Sequence, residues 1–311
     1  MHIVVTGSSS YLARALLPIL CEHPRISAIT GIDVNPPHFS HPRFKTTCLD
    51  IRAPEIAQQF AGIDAVVHLA FVVMQGTLKE RRNDRALMRN INIDGSVNVF
   101  RCAARAGVKN FIHLSSAAVY ALPSASSKIT ESHQQAPLAE FAYAEDKIAL
   151  ERWLNDWEAQ HRELRIVRLR PHVILGPHAQ PFIKAFLRLP FYPQLPQPLP
   201  HTQCVHEQDI TQAIMLALFS HERGAFNLAG TEAFTLFDMQ KMAHRHPLPL
   251  PFSVIRKFAT VNWRWFGVGT HPAWVEGLRY SLVLDSTRAL TKLGWQPRYA
   301  SARDCLISMK T

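Results

Sequence analysis

Tyr143 and Lys147 stand four residues apart in the run Tyr143-Ala144-Glu145-Asp146-Lys147. On a helix that spacing puts both on one face. A free phenol has a pKa near 10 and is a poor base at neutral pH. An ammonium beside it favours the phenolate, and a positively charged nicotinamide ring would do the same. The phenol can then take a hydroxyl proton while hydride leaves the same carbon. The spacing arises often by chance, so its context matters. Ser115-Ser116 closes the apolar run Phe111-Ile112-His113-Leu114, and ligands bind at the carboxyl ends of parallel strands. Ser116 could hydrogen-bond the substrate hydroxyl and polarise the carbonyl formed from it. The plain alternative for both serines is a turn or helix cap. Glu145 and Asp146, inside the Tyr–Lys turn, are expected to face solvent. His68 and His113 lie within apolar runs and are expected as core or cofactor-wall residues.

A second group has the spacing of an anion site. Ile3-Val4-Val5 runs into Thr6-Gly7-Ser8-Ser9-Ser10-Tyr11-Leu12-Ala13 and then a helical pattern. A strand, a tight turn and a helix N-terminus present N–H groups and a dipole to a pyrophosphate. Of the three-glycine fingerprint only Gly7 remains, with Ser10 at the second position and Ala13 at the third. Alanine there tightens helix–strand packing. Ser10 is the more serious change, because its Cβ stands where backbone must approach phosphate; its hydroxyl could donate to a phosphate oxygen instead. Asp33 ends the next strand, twenty residues after Ala13. A carboxylate there binds both adenosine ribose hydroxyls and repels a 2′-phosphate, which selects NAD over NADP. Asp50, followed by Ile51, ends the third strand, where adenine would lie. Either aspartate alone reads equally as a turn or cap residue; together they read as a cofactor site.

These residues need elements to hold them. Ile3–Val5, Ala28 to Ile32, Ala65 to Ala70, Phe111 to Leu114 and Arg165 to Leu169 read as strands. Helical patterns follow Tyr11 and cover about 84 to 106 and about 143 to 160. Strict alternation means a doubly wound α/β fold of Rossmann type, a parallel sheet with helices on both faces. Pro18 should kink or shorten the first helix. After Arg170 the texture changes: prolines cluster from Pro171 to Pro200 and from Pro247 to Pro251, and Trp263, Trp265, Trp274 and Trp295 follow. Residues 1–170 read as the nucleotide-binding domain, with 203–230 returning to it. Residues 171–311 read as mainly a smaller α/β substrate-binding region. Its tryptophans suit either ordinary core packing or an apolar pocket.

In this order the motifs resemble the NAD-dependent epimerase/dehydratase family, the extended short-chain dehydrogenases/reductases. The likeness runs through the Gly7 turn, Asp33, Asp50-Ile51, His68-Leu69-Ala70 and Asn92-x-x-Gly95-Ser96-x-Asn98. It continues through Ser115-Ser116-Ala117-Ala118-Val119-Tyr120, Tyr143-x-x-x-Lys147 and Arg170-Pro171 with Gly176-Pro177. It ends with Val205-His206-x-x-Asp209-Ile210, Phe226-Asn227-Leu228-Ala229-Gly230, Asp285-Ser286-Thr287-Arg288 and Leu293-Gly294-Trp295. The resemblance implies NAD as cofactor and Ser116, Tyr143 and Lys147 as catalytic residues, with Lys147 also holding the nicotinamide ribose. The cofactor-binding set it implies is Gly7, Ser9, Ser10, Tyr11, Leu12, Asp33, Asp50, Ile51, Leu69, Ala70, Asn92, Leu114, Tyr143, Lys147, Pro171 and Val173. It also implies a homodimer, built by the helices near 84–106 and 143–160 from each subunit. Nucleotide-sugar members grip the substrate diphosphate with arginines in the second region. Here Leu199-Pro200-His201-Thr202-Gln203-Cys204 has none, only Arg279 precedes Asp285, and Val173 replaces a frequent asparagine. Buried phosphates need charge-assisted donors, so these departures argue against a standard nucleotide sugar.

The bulk composition excludes little else. Of 311 residues 47% are hydrophobic and 19% charged, which is ordinary for a soluble enzyme with a full core. No apolar run approaches the ~18 residues of a membrane span, and no targeting peptide is visible, so a cytoplasmic protein without a membrane partner is expected. Five scattered cysteines imply reduced thiols, with no disulfide framework and no metal site. The net charge is +10; its densest group, Arg81, Arg82, Arg85 and Arg89, reads as a solvated helix face. Without basic–aromatic interleaving, nucleic acid is not the expected partner. The leading reading is an NAD-dependent oxidoreductase or epimerase acting on a secondary alcohol or ketone, either a sugar nucleotide or a more apolar alcohol. The alternatives are a non-catalytic NAD-binding sensor or scaffold on the same fold, and a nucleic-acid-binding relative.

Overall fold

The computed structural model describes residues 1–73, 75–76, 84–122, 128–188, 191–193, 198–242, 246–248, 251–266 and 269–309. Arg81 and Arg82 lie outside them. Seven strands form one sheet: β1 (His2–Thr6), β2 (Ala28–Asp33), β3 (Phe44–Cys48), β4 (Ala65–His68), β5 (Asn110–Leu114), β6 (Arg165–Pro171) and β7 (Gly224–Leu228). Their order is β7-β6-β5-β4-β1-β2-β3 and every pairing is parallel. The chain starts at β1, moves outward to β3 and returns through β4. The crevice outside the carboxyl ends of β1 and β4 is therefore the switch point where such sheets bind ligands.

Alternate residues of the central strands feed two cores. Val5 and Val67 join Leu16, Leu20, Ile210 and Ile214 of helices α1 (Tyr11–Glu22) and α6 (Glu207–Phe219). Val4 and Val66 join Val99, Phe100, Leu150 and Leu154 of helices α3 (Ser96–Arg105) and α4 (Ala142–Glu158). Both faces are apolar because both are covered. Pro18 does not shorten α1, which runs through it to Glu22. A proline inside a helix costs about 3 kcal/mol; burial of Leu12, Leu16, Leu17 and Leu20 on the sheet outweighs that. The helix read over 84–106 is α2 (Arg85–Arg89) and α3, joined by a π-helical turn at Asn90–Gly95.

The C-terminal part adds short pieces: α5 (Pro181–Arg188), α7 (Leu236–Met242), α8 (Phe252–Val261) and α9 (Pro272–Gly277). The short strand Val173–Leu175 continues from β6 and pairs with Cys204–His206. The fully buried Trp295 donates to the Asp209 carbonyl at 2.8 Å, and the Asp209 carboxylate accepts the N–H groups of Arg298 (2.7 Å) and Tyr299 (3.1 Å). The Val-His-x-x-Asp motif thus staples the C-terminus onto α6. Cysteines remote in sequence are not all remote in space: the Cys204 and Cys305 thiols lie within hydrogen-bonding reach, and all five cysteines are free. Among the described residues no helix is long and apolar enough to cross a membrane, and no group of three or more His, Cys, Asp or Glu is placed to hold a metal ion.

Candidate active site

Tyr143, Lys147 and Glu151 occupy successive turns on one face of α4. That face meets the carboxyl ends of β5 and β6. Lys147 is buried; its Nζ donates to the Leu114 carbonyl at 2.6 Å, lies 3.5 Å from the Phe71 ring centre and 5.9 Å from that of Tyr143. Burial pulls the Lys147 ammonium down to about 7, opposed by Glu151 and Asp146. The Tyr143 phenol is pushed up by burial, against the hydrogen bond of Ser116. This differs from the lysine-lowered phenol expected from the spacing. The physical reason is that Lys147 is held by Leu114 and Phe71 rather than by the phenol. Ser116 both faces Tyr143 and caps a turn, its Oγ accepting the Ala118 N–H at 3.1 Å. Ser115 points the other way and donates to Glu151 at 2.5 Å.

Asp146 does not face solvent. It is fully buried and accepts both guanidinium nitrogens of Arg85 (2.7 and 2.8 Å), Arg89 (3.2 Å) and the Asn92 amide (3.0 Å). Arg85 is therefore half-buried against Asp146 instead of lying on a solvated face, while Arg89 stays exposed and reaches the carboxylate from outside. Unpaired burial would be prohibitive for that carboxylate, and α2 supplies the charge. Glu145 joins the edge of this cluster, 3.2 Å from Arg85.

Of the expected cofactor residues, all but Asn92 line one cavity of about 980 Å³, and Ser116 lines it too. Asn92 is buried beside it; its amide accepts the Val72 N–H at 2.7 Å and donates to the Val72 carbonyl at 3.1 Å, so it shapes the wall rather than forming it. The turn fits a pyrophosphate. Gly7 has φ +72°, and a Cβ there would stand 2.5 Å from the Ala70 nitrogen. Ser10 is the N-cap of α1, its Oγ 3.4 Å from the Ala13 nitrogen, which leaves the Tyr11 and Leu12 N–H groups without intrahelical acceptors. Asp33 accepts Ser9 N–H on one oxygen and Asn35 N–H on the other, each at 2.9 Å. The Asn35 side-chain amide donates to it as well, at 3.3 Å; of a carboxylate's about four lone-pair sites one stays open for a ribose hydroxyl, and a second opens when that amide swings away. Asp50 is paired with Arg52 at 2.6 Å, which holds its carboxyl below the usual range. His68 sits between Thr6 (2.6 Å) and Ser96 (2.9 Å) and stacks on His113, whose ring nitrogens have no hydrogen-bond partner among the described residues. Burial holds both rings neutral, His68 at about 3. They are core histidines.

The profile of the NAD dependent epimerase/dehydratase family matches residues 3–189. The chain belongs to this family. An uncharacterized protein of Mycobacterium tuberculosis is 24% identical over 96% of this chain and 81% of its own length. A 3-beta-hydroxysteroid dehydrogenase of Mycolicibacterium neoaurum is 30% identical over 38% of this chain and 32% of its own. Among solved structures, a UDP-glucose 4-epimerase of Thermotoga maritima superposes with a TM-score of 0.75, at 19% identity, over 100% of this chain and 98% of that one. Membership makes this an NAD-dependent enzyme, and the Gly7 turn and Asp33 are suited to hold that dinucleotide.

Beyond the dinucleotide crevice the cavity of this family member is largely apolar, with Gln180, Thr202, Gln203 and Glu207 as polar members of its wall. Phe182, Ile183, Phe186, Phe234, Met239 and Trp274 line it. Among its described lining residues Arg14 and Lys147 are the arginine and lysine present, and Arg14 belongs to α1 beside the pyrophosphate turn. Arg279 lies outside it, bound to Glu276 at 2.7 Å and stacked on Phe252. Sequence reasoning missed Phe71, Glu151 and His172. Phe71 and His172 line the cavity, and His172 is pulled down to about 4 by burial. For Glu151 a signal existed, its place four residues beyond Lys147.

Proposed function

We propose that this enzyme moves a hydride between NAD and a secondary alcohol or ketone, and that its substrate is largely apolar. The observation that supports this is the meeting of the Tyr143 phenol, the Ser116 hydroxyl and Lys147 in a cavity whose substrate side is apolar. When bound, NAD supplies the carbon that accepts or returns the hydride. Everything else falls to the chain. Ser116 holds the substrate oxygen and Tyr143 exchanges its proton. Burial keeps the phenol protonated, so positive charge must be brought up beside it before it can act as a base. Lys147 can supply that charge and can exchange the Leu114 carbonyl for a ribose hydroxyl. A UDP-sugar would bring two buried phosphates to a wall that, among the described residues, offers no arginine beyond Arg14 of the pyrophosphate turn. A relative named for a hydroxysteroid fits that wall better than a neighbour named for UDP-glucose.

We also read residues 171–311, except 203–230, as the substrate-binding region, and the homodimer as built through the α2–α3 segment near 84–106 and α4. Sedimentation equilibrium tests the latter. The central test is calorimetric NAD binding combined with turnover of a panel of apolar secondary alcohols and UDP-hexoses. Tyr143→Phe should bind NAD unchanged and lose at least about 10²-fold in turnover. Unchanged turnover would remove Tyr143 from the chemistry. Interconversion of UDP-hexoses with no turnover of apolar alcohols would overturn the substrate class.

A further inference from the structure

Helix α8 and the π-helical turn Asn262–Phe266 that extends it present apolar side chains in two directions. Phe252, Ile255 and Ala259 are half-buried against the protein. Val254, Phe258, Val261 and Trp265 follow one another at steps of four, three and four and form a second stripe. This stripe is in solvent, at 45%, 73%, 49% and 76% exposure. Single exposed apolar residues are ordinary, but four large ones aligned on one helix mark a contact surface.

Charge indicates what the surface contacts. No acidic residue occurs from Met239 to Val275 in the sequence. Arg256, Lys257 and Arg264 are exposed on the same element, with Arg256 also 3.6 Å from Glu276 of α9. An apolar stripe containing Trp and Phe, shouldered by cations, is the make-up of a helix that lies in the plane of a membrane interface. We propose that this face docks on an anionic lipid surface. A second copy of the chain fits less well, because an isologous contact would set the same cations against one another. The lack of a membrane-spanning run does not weigh against this surface, because an in-plane helix needs none. Docking would also set the cavity close to the lipid: α9 packs on α8 and lends Trp274 and Val275 to the cavity wall.

The test is flotation of the full chain with vesicles of phosphatidylcholine alone and of phosphatidylcholine with phosphatidylserine. It does not use turnover, so it is independent of the proposed chemistry. The wild type should float with the anionic vesicles and dissociate as salt is raised. The double variant Phe258→Ser, Trp265→Ser should bind at least about tenfold more weakly, with an unchanged circular dichroism spectrum and unchanged mass in solution. Lys257→Glu, a milder change, should weaken binding to the anionic vesicles alone. A wild type that floats with neither vesicle overturns the proposal. So do equal flotation of wild type and both variants, and a double variant that binds vesicles normally but loses its oligomeric state.

Discussion

Lys147 carries a charge in a place that resists it. Its ammonium lies against an aromatic face and a single carbonyl, and burial brings its pKa down to about 7. Below about pH 7 the folded and unfolded chains both hold this proton, and the penalty for burying it is fully present. Between that pH and about 10.4 the unfolded chain keeps a proton that the folded chain has released. Stability of the cofactor-free protein should therefore rise with pH across this window. Lys147→Met removes the titration: its melting temperature should exceed the wild type's at about pH 7, and the difference should shrink towards about pH 9. Melting curves of the two proteins at both pH values decide it, and parallel curves would mean that the folded protein does not depress this lysine. The pairing of Tyr143 with Lys147 on one helix face was legible because its spacing is local, and the place of Ser116 because it follows the end of a strand. The Leu114 carbonyl and the Phe71 ring that hold the lysine were not, since a contact across thirty-three residues or more leaves no periodic trace.

At the scale of elements, Glu151 joins the parts of the candidate site. It is fully buried on α4, one turn past Lys147. Its carboxylate accepts Ser115 at 2.5 Å, Arg170 Nε at 3.0 Å and the Gln135 amide at 2.8 Å, with Arg170 Nη2 also on it. Arg170 reaches on to the Tyr120 hydroxyl (2.8 Å) and the Glu131 carbonyl (2.9 Å). The helix bearing Tyr143 is thereby tied to the ends of β5 and β6, beside Ser116 and Pro171. Although burial would raise the Glu151 pKa, Arg170 and Ser115 hold it below the usual range. Glu151→Gln leaves a buried guanidinium without its counter-charge and should cost about 3 kcal/mol in urea unfolding. A loss under about 0.5 kcal/mol, the range of ordinary surface changes, would mean that the tie is not structural. Much of the element scale was legible: strand and helix alternation fixed which elements flank the crevice. The reading failed at Asp146, because a carboxylate on a helix is usually solvated, and its partners Arg85 and Arg89 lie on an element whose charge pattern looked like surface.

At the scale of the molecule, one cavity runs from the carboxyl ends of β2 and β3, through the α4 face, to the C-terminal helices. The sheet end of it could be read from the chain because each strand closes on a residue of distinctive type. The C-terminal end could not: its helices are short, prolines break its periods, and the exposed stripe of α8 is apolar like a core face. A ligand that fits this cavity binds the folded chain alone, so it shifts the unfolding equilibrium of the whole protein. At about 100 times its dissociation constant NAD should add about 2.7 kcal/mol, which raises the melting temperature by several degrees. NADP at the same concentration should add far less. Its 2′-phosphate would meet Asp33, whose oxygens already accept Ser9 and Asn35 N–H groups and can take a hydroxyl donor but not another anion. Asp33→Ala should then narrow the gap between the two dinucleotides by weakening NAD and relieving the repulsion of NADP. Equal thermal shifts from NAD and NADP on the wild type would remove Asp33 from cofactor selection, even with the rest of the crevice intact.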